Sequence, residues 1–175
     1  MPSSTRRHRK LMSTKELVLD ALLSAVLFLT QVSLSFLPNV ELVSLLLILY
    51  TLVFRKHVWI ILYVFVALEG LVYGFGPWWF SYLYVWAVLC AAAFVLGKWG
   101  CPSSLSAALL SGIFGMLFGL LCSVSWLFAG GPGAALAWWS SGIPFDIIHG
   151  IGNFVLALIL FQPLYSLLNY LKRNL

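Results

Sequence analysis

Residues 40–74 read VELVSLLLILYTLVFRKHVWIILYVFVALEGLVYG, and this stretch decides the fold class. It contains two apolar runs, 40–54 and 57–74, separated only by the charged pair Arg55-Lys56. A membrane-spanning helix needs roughly 20 predominantly apolar residues. Because each run approaches that length, the stretch predicts two transmembrane helices joined by a short basic turn.

The whole chain has the same apolar character. Of its 175 residues, 62% are hydrophobic and 9% are charged, whereas soluble domains average about 45–50% apolar and about 25% charged residues. This composition excludes a water-soluble globule, a nucleic-acid-binding protein, a disordered chain and a disulfide-stapled secreted domain. The three cysteines show no CxxC or Cys/His spacing, so we expect neither a metal site nor another cofactor in this chain.

Applied along the chain, the same length criterion predicts an all-α integral membrane protein. We expect a compact bundle of six transmembrane helices in a single domain, residues 16–175, after a basic cytoplasmic tail, residues 1–15. Prolines, glycines or charged residues mark each break between the helices. The predicted spans cover residues 16–36, 40–54, 57–74, 78–97, 104–129 and 145–169.

The basic residues indicate the orientation of the bundle. With six spans, all ten lysines and arginines fall on the side of the N-terminus, and the other loops contain none. Basic residues favour the cytoplasmic side of a membrane. We therefore expect both termini in the cytoplasm of a multi-pass protein of the cell membrane. The residues concerned are Arg6, Arg7, Arg9, Lys10, Lys15, Arg55, Lys56, Lys98, Lys172 and Arg173.

Carboxylates collect at the opposite, outer end. Glu41, Glu69 and Asp146 lie at the outer ends of their spans, where the loops offer no basic partner. His149 and Asn153 follow Asp146 on the same helical face. Ionisable groups at membrane depth are costly and usually face a cavity or a partner, so these five residues are candidate substrate-binding residues. Interhelical hydrogen bonds that only hold the bundle together would produce the same pattern.

Aromatic residues crowd the same end, beside glycine-rich connections. Such residues form belts at the membrane interface in any membrane protein. Their faces also hold flat ligands, and the connection 129–144 is long enough to fold over a pocket. We therefore add these aromatic residues to the candidate substrate-binding set. They are Trp78, Trp79, Tyr82, Trp138 and Trp139.

The charge balance of the outer end limits the ligand. An anionic substrate would meet carboxylates and no arginine clamp. A small, planar, nitrogen-rich heterocycle, neutral or cationic, is better suited, because carboxylates accept hydrogen bonds from ring N–H and amino groups.

Small residues four apart let helices approach closely. The first span has the pair Ala21 and Ala25, and the fifth has Gly115 and Gly119. Each pair is compatible with packing inside the chain or with contact to another subunit. The first pair lies near the cytoplasmic end, where a partner subunit has access to it.

These features resemble the S components of energy-coupling factor (ECF) transporters, which are small membrane proteins that capture vitamins and related micronutrients. The resemblance covers essentially the whole chain. It depends on the size, the six spans, the basic N-terminus and the pair Ala21-x-x-x-Ala25. Three stretches also look like S components: SFLPNVELVSLLLILYTLVF (35–54), LEGLVYGFGPWWFSYLYVW (68–86) and SGIPFDIIHGIGNFVL (141–156).

The resemblance implies a division of labour between subunits. This chain would bind substrate from outside with high affinity and associate with a transmembrane coupling subunit and two cytoplasmic ATPases. The coupling subunit would contact Ala21 and Ala25. ATP would be hydrolysed by the partners, because this chain has no Walker motif.

Other classes of membrane protein remain open. A self-sufficient carrier or channel for a small solute would need no partners, but the two halves of the chain show no inverted repeat. An intramembrane enzyme would use Asp146 and His149 with Ser140 or Ser141 as nucleophile, yet neither GxSxG nor HExxH is present. A purely structural membrane protein is the remaining class. We expect binding rather than catalysis.

Overall fold

The computed structural model describes residues 12–100 and 102–174. Of these residues, 87% are helical and none lies in a β-strand, which confirms the all-α class. By length and composition, four helical stretches suffice to cross a membrane: Thr14–Ser33, Val43–Tyr73, Pro77–Leu96 and Ser104–Arg173. The helices are α1 (Thr14–Ser33), α2 (Val43–Phe54), α3 (Val58–Tyr73), α4 (Pro77–Leu96) and α5 (Ser104–Arg173).

Local sequence chemistry explains where three of the helices begin. In α1, the Ser13 hydroxyl accepts from the backbone of Glu16 at 3.2 Å, and the Glu16 carboxylate accepts from the backbone of Ser13 at 2.7 Å. This reciprocal capping box satisfies two of the free N–H groups at a helix start. Ser103 and Ser106 form the equivalent pair for α5, and α4 begins with Pro77, which needs no N–H partner there.

The predicted basic tail and the start of the first helix differ slightly from the structure. Residues 1–11 of the predicted tail 1–15 lie outside the described residues. Thr14 and Lys15, assigned to the tail, belong to the first turn of α1, because the cap is Ser13.

The turn between α2 and α3 follows the prediction closely. A single 3-10 turn, Arg55–His57, joins the two helices, and Arg55 has a positive φ of 58°. The next two helices, α3 and α4, pack against each other. Trp59 at the start of α3 stacks on Phe94 near the end of α4, with ring centroids 6.1 Å apart. Trp79 near the start of α4 donates to the Val66 carbonyl at 2.8 Å, so α3 and α4 are antiparallel.

The prediction of a long loop over residues 129–144 is wrong. Helical structure continues through this region, and only Gly131 departs from it, with φ 77° and ψ −176°. Pro132 follows directly and occupies a position where a helix tolerates a missing N–H. Pro144 lies inside the helix. It removes a single backbone hydrogen bond, and the helical turns on either side keep their own hydrogen bonds.

Gly131 divides α5 into two arms, which we call the first arm (104–130) and the second arm (132–173). The arms pack side by side in opposite directions, as the contacts show: Trp126 stacks on Trp138 at 4.6 Å, and a Cβ on Gly115 would lie 2.9 Å from the Gly150 Cα. The small residues of the first arm therefore serve packing within the chain, which resolves the alternative left open for Gly115 and Gly119.

The core of the molecule surrounds α2. Every residue of α2 except Leu52 is buried, and the helix contacts α1, α3, α4 and α5. The outer surface of the bundle is also apolar: Leu22 on α1, Leu71 on α3 and Ile159 on α5 are 61%, 71% and 63% exposed. Because water does not favour such a surface, it suits contact with lipid.

The two ends of the bundle differ in chemistry. One end has the described basic residues close together: Lys172 donates to the Val53 carbonyl at 2.6 Å, and the Arg55 guanidinium lies against Gly97, next to Lys98. We call it the basic end. The opposite end contains Glu41, Glu69 and the cavities described below.

Candidate functional site

Three adjoining cavities lie at the end opposite the basic end. Cavity A, about 250 Å³, contains Glu69; cavity B, about 270 Å³, contains Glu41 and His149; and cavity C, about 290 Å³, contains Asp146. Gln31, Ser35 and Tyr82 line both A and B. Asn39 and Phe118 line both B and C. Because the three cavities share these wall residues, they adjoin one another, and we describe them together as one candidate site.

Glu41 and His149 form the polar centre of cavity B. His149 Nε2 lies 3.2 Å from Glu41 Oε1, and both residues are buried. Glu41 Oε2 also accepts from the Ser44 backbone N–H at 2.8 Å, at the start of α2. Burial raises the pKa of the Glu41 carboxyl, but the hydrogen bond and charge of His149, together with Ser44, outweigh burial and lower it below its ordinary value. The charged form of Glu41 is therefore favoured, and His149 and Ser44 fix the position of its carboxylate.

Asp146 and Asn153 lie on the second arm, on the face that carries His149. Asp146 Oδ1 accepts from the Gly119 backbone N–H of the first arm at 2.9 Å. Asn153 donates to the Ser44 hydroxyl at 3.1 Å and lines none of the three cavities. Asp146, His149 and Asn153 thus each hydrogen-bond a different neighbouring segment. This polar face therefore serves in part to hold the helices together. Asp146 and His149 also line cavities C and B.

Glu69 differs from Glu41 and Asp146 because it makes no hydrogen bond to a described residue, although Asp146 Oδ2 is also without a partner among those residues. Glu69 lies on α3 and is only 3% exposed. Its Oε1 has no hydrogen-bond partner among the described residues, although Glu69 lines cavity A. The Gln31 carbonyl oxygen, on the wall of the same cavity, also has no partner among those residues. Cavity A therefore contains two acceptors that no described donor satisfies.

A ladder of aromatic rings forms one wall of cavities A and B. Trp78 contacts Tyr82 edge to face at 5.2 Å, and Tyr82 contacts Trp86 in the same way at 5.5 Å. Trp86 in turn contacts Phe118 at 5.4 Å, and Phe118 contacts the His149 ring at 4.9 Å. Edge-to-face contacts leave ring faces available, so the ladder offers apolar surfaces beside the carboxylates.

The other predicted tryptophans lie differently. Trp79 lines none of the three cavities, since its indole N–H donates to the Val66 carbonyl and its ring contacts Phe75 at 5.0 Å. Trp138 lines cavity C while it stacks on Trp126. Trp139 is 36% exposed and lines none of the three. Of the pair Trp138 and Trp139, only Trp138 therefore lines a cavity.

Sequence reasoning missed several lining residues. The segment between α1 and α2 supplies much of the wall of cavity B: Leu34, Ser35, Leu37, Pro38, Asn39 and Val40. This segment, rather than residues 129–144, lies over the cavity. Gln31 was a detectable signal, because it is a lone amide in the apolar run of α1. Trp86 and Phe118 gave no signal, since an aromatic residue inside an apolar helix is usually core.

A larger cavity of about 590 Å³ lies elsewhere, between α4 and the first arm. Its walls are mostly apolar and include Phe75, Phe80 and Phe128. It has no carboxylate, imidazole or amide in its lining, and its two hydroxyl groups, on Tyr84 and Ser125, already donate to backbone carbonyls. It therefore offers few polar groups to orient a polar ligand.

Ala21 and Ala25 lie on α1, near the basic end and away from the cavities. Ala21 is exposed and Ala25 is half-buried. The neighbouring Ser24 faces inward, where its hydroxyl donates to the Ile61 carbonyl at 3.1 Å. The alanine pair is thus on the outer side of α1, where no described helix covers Ala21.

No family model, curated protein or solved structure matches this chain.

Proposed function

We propose that this protein is the substrate-binding membrane subunit, or S component, of an ECF-type importer. It captures a small planar heterocycle, vitamin-like in size, and delivers it to an ATPase-driven coupling module. The observation that carries this proposal is the site formed by the adjoining cavities A, B and C. That site places three carboxylates, a histidine and an aromatic wall at the end of the bundle away from the basic end.

The proposal includes six membrane passes: α1, α2, α3, α4 and the two arms of α5. In its support, α3 and α4 are antiparallel, and so are the two arms. The basic residues grouped at one end favour a cytoplasmic location for that end and for both termini. The cavities then face the outside of the cell membrane, where substrate is captured.

Within the site we assign binding roles rather than catalytic ones. Glu41 and His149 present a paired polar centre in cavity B, and Asp146 presents a carboxylate in cavity C. Tyr82 and Trp78 give the aromatic wall against which a flat ring packs. Trp79, Asn153 and Trp139 line none of the three cavities, so we assign them no contact with the ligand.

The outer side of α1 is the proposed contact with the coupling subunit. Ala21 is exposed and Ala25 half-buried, on a helix whose inward side is already occupied. A smooth surface of small side chains lets a partner helix approach closely. The partners proposed are one transmembrane coupling subunit and two cytoplasmic ATPases, which hydrolyse the ATP.

Purification from native membranes in a mild detergent tests the proposal. A tagged copy of the full chain should bring down two ATPases and one further membrane subunit in a fixed ratio, and native mass spectrometry should detect a bound small molecule. An unrelated tagged multi-pass protein is the control. If the ATPases are absent and proteoliposomes containing this chain alone take up the solute, the protein is a self-sufficient carrier and the proposal is wrong.

A further inference from the structure

Cavity A has an unusual imbalance between hydrogen-bond acceptors and donors. Glu69 Oε1 and the Gln31 carbonyl oxygen both lack a partner among the described residues. Leaving a buried polar atom without a hydrogen bond costs free energy, and the cost is greater for a carboxylate than for a neutral group. Both residues line the same cavity, so a ligand group with two donors that binds in cavity A has both side chains in its wall.

Glu69 also lacks a neighbouring positive charge. The described lysines and arginines at positions 15, 55, 56, 98, 172 and 173 belong to α1's first turn, the α2–α3 turn, the α4–α5 connection and the end of the second arm. Of the two described histidines, His149 already pairs with Glu41 and His57 pairs with Asp20. The remaining source of positive charge for Glu69, within the described part of the chain, is a ligand.

The rest of the cavity wall suits a cation as well. Tyr73, Trp78 and Tyr82 surround the same space as Glu69. An organic cation is attracted to the faces of Trp and Tyr rings, and the attraction is stronger where water is excluded. The combination of one unpaired carboxylate with three aromatic rings is therefore better matched to an ammonium-type group than to a neutral amide or hydroxyl.

The three carboxylates at this end are not equivalent for this purpose. Glu41 already accepts from His149 and Ser44, and Asp146 accepts from Gly119. Asp146 Oδ2, like Glu69 Oε1, has no partner among the described residues, but the Gly119 N–H already holds the Asp146 side chain through its other oxygen. No hydrogen bond from a described residue holds the Glu69 carboxylate.

We propose that the substrate of this site is an organic cation that carries N–H donors, and that its charged nitrogen is held by Glu69 and Gln31 inside the aromatic wall of cavity A. This inference rests on the proposed binding function and narrows its substrate class from any planar heterocycle to a protonated one. Two unpaired acceptors require a nitrogen with at least two N–H bonds, which excludes a quaternary ammonium as the preferred ligand.

Three probes that share a benzyl group test this directly on the purified full chain in nanodiscs. Benzylammonium has charge and donors, benzyltrimethylammonium has charge alone, and benzyl alcohol has a donor without charge. We expect the dissociation constant for benzylammonium to be at least about tenfold lower than those for the other two. Equal affinities for benzylammonium and benzyl alcohol, or no binding of benzylammonium, would overturn the proposal. So would tighter binding of benzyltrimethylammonium.

Two variants test whether the preference for benzylammonium arises at Glu69. Glu69→Gln keeps the shape of the side chain but removes its charge, so the preference for benzylammonium should fall to within about twofold. Glu16→Gln removes one negative charge at the basic end, retains the capping box of α1, and should leave the preference unchanged. Retention of the full preference in Glu69→Gln would show that the cation binds elsewhere and would overturn the assignment to cavity A.

The wild-type comparison stands even if Glu69→Gln does not fold. It is also independent of the coupling module. If the chain prefers benzylammonium but no ATPases co-purify with it, the binding inference holds and the transporter assignment fails. If the ATPases co-purify and the probes bind equally, the transporter assignment holds and the binding inference fails.

Discussion

At the scale of single residues, the structure separates polar groups that support the bundle from polar groups that face the site. Asn153 hydrogen-bonds a neighbouring helix and lines none of the three cavities. Asp146 accepts from the first arm and also lines cavity C, whereas Glu69 makes no hydrogen bond to a described residue and lines cavity A. The same sequence pattern predicted one role for all of them. Helical periodicity predicts which residues share a face of a helix. It does not predict which atom of another helix lies about 3 Å away, and a hydrogen bond requires such an atom.

A close helix approach at Gly115 gives a prediction at this scale. A Cβ added there would lie 2.9 Å from the backbone of His149 and Gly150, and backbone atoms cannot move aside without shifting the second arm. Gly115→Ala should reduce the free energy of unfolding by about 1–3 kcal/mol, measured by thermal or denaturant unfolding in detergent. Gly142→Ala, where no atom lies within 4 Å of the new Cβ, is the control and should be tolerated. Equal stability of the two variants would contradict the packing described.

At the scale of elements, the break in α5 and the segment between α1 and α2 shape the site. Gly131 turns the two arms against each other, which brings Asp146 beside Gly119. The segment 34–41 lies over cavity B and supplies Glu41. Neither role follows from local propensity, because one depends on a single backbone conformation and the other on where α1 and α2 pack.

The conformation at Gly131 can be tested by substitution. Its φ of 77° with ψ −176° is a combination available almost only to glycine. Gly131→Ala should therefore cost about 1–3 kcal/mol of unfolding free energy. Gly133→Ala, two residues further on and in open space, should be neutral or stabilising by up to about 1 kcal/mol. A fully stable Gly131→Ala protein would mean that the arms do not depend on this turn.

At the scale of the whole molecule, charge and cavity lie at opposite ends of an apolar bundle. Lys172, Arg55 and Lys98 gather at the basic end, and cavities A, B and C lie at the other. In a membrane this separation favours one orientation. Ala21 is exposed on the outer side of α1, which is the proposed contact with the coupling subunit.

Cysteine labelling measures the orientation. In a background whose three native cysteines are replaced by alanine, Ser35→Cys should react with a membrane-impermeant maleimide in intact cells. Lys98→Cys should react only after permeabilisation. Both positions are exposed in the structure, so each serves as the accessibility control for the other. The opposite pattern would place the cavities on the cytoplasmic side.

A bulky substitution tests the partner surface on α1. Ala21→Trp should reduce co-purification of the coupling subunit at least about tenfold, because a helix cannot approach closely over an indole. Ligand affinity should be unchanged, since Ala21 lines none of the cavities. Ile159→Trp, a change at an exposed position of the second arm, is the matched control. Loss of ligand affinity in Ala21→Trp with assembly intact would assign α1 to the site instead.

The sequence by itself determined the class of the molecule and many of its chemical groups. Apolar runs such as 40–54 predicted helices within a few residues of their observed bounds, because burial in lipid or in the bundle leaves the backbone few alternatives to a helix. The outer carboxylates and the His149 face were also visible in the sequence, since charged residues are rare in such runs.

Only the tertiary structure decided how those groups are used. The partners Glu41 and His149 are 108 residues apart in the chain, and Trp86 and Phe118 became walls of the site only when α4 packed against the first arm. The predicted break between the fifth and sixth spans shrinks to the single residue Gly131 for the same reason. Such features depend on which helices become neighbours, and that choice follows from the packing of all their surfaces together rather than from the pattern of any one of them.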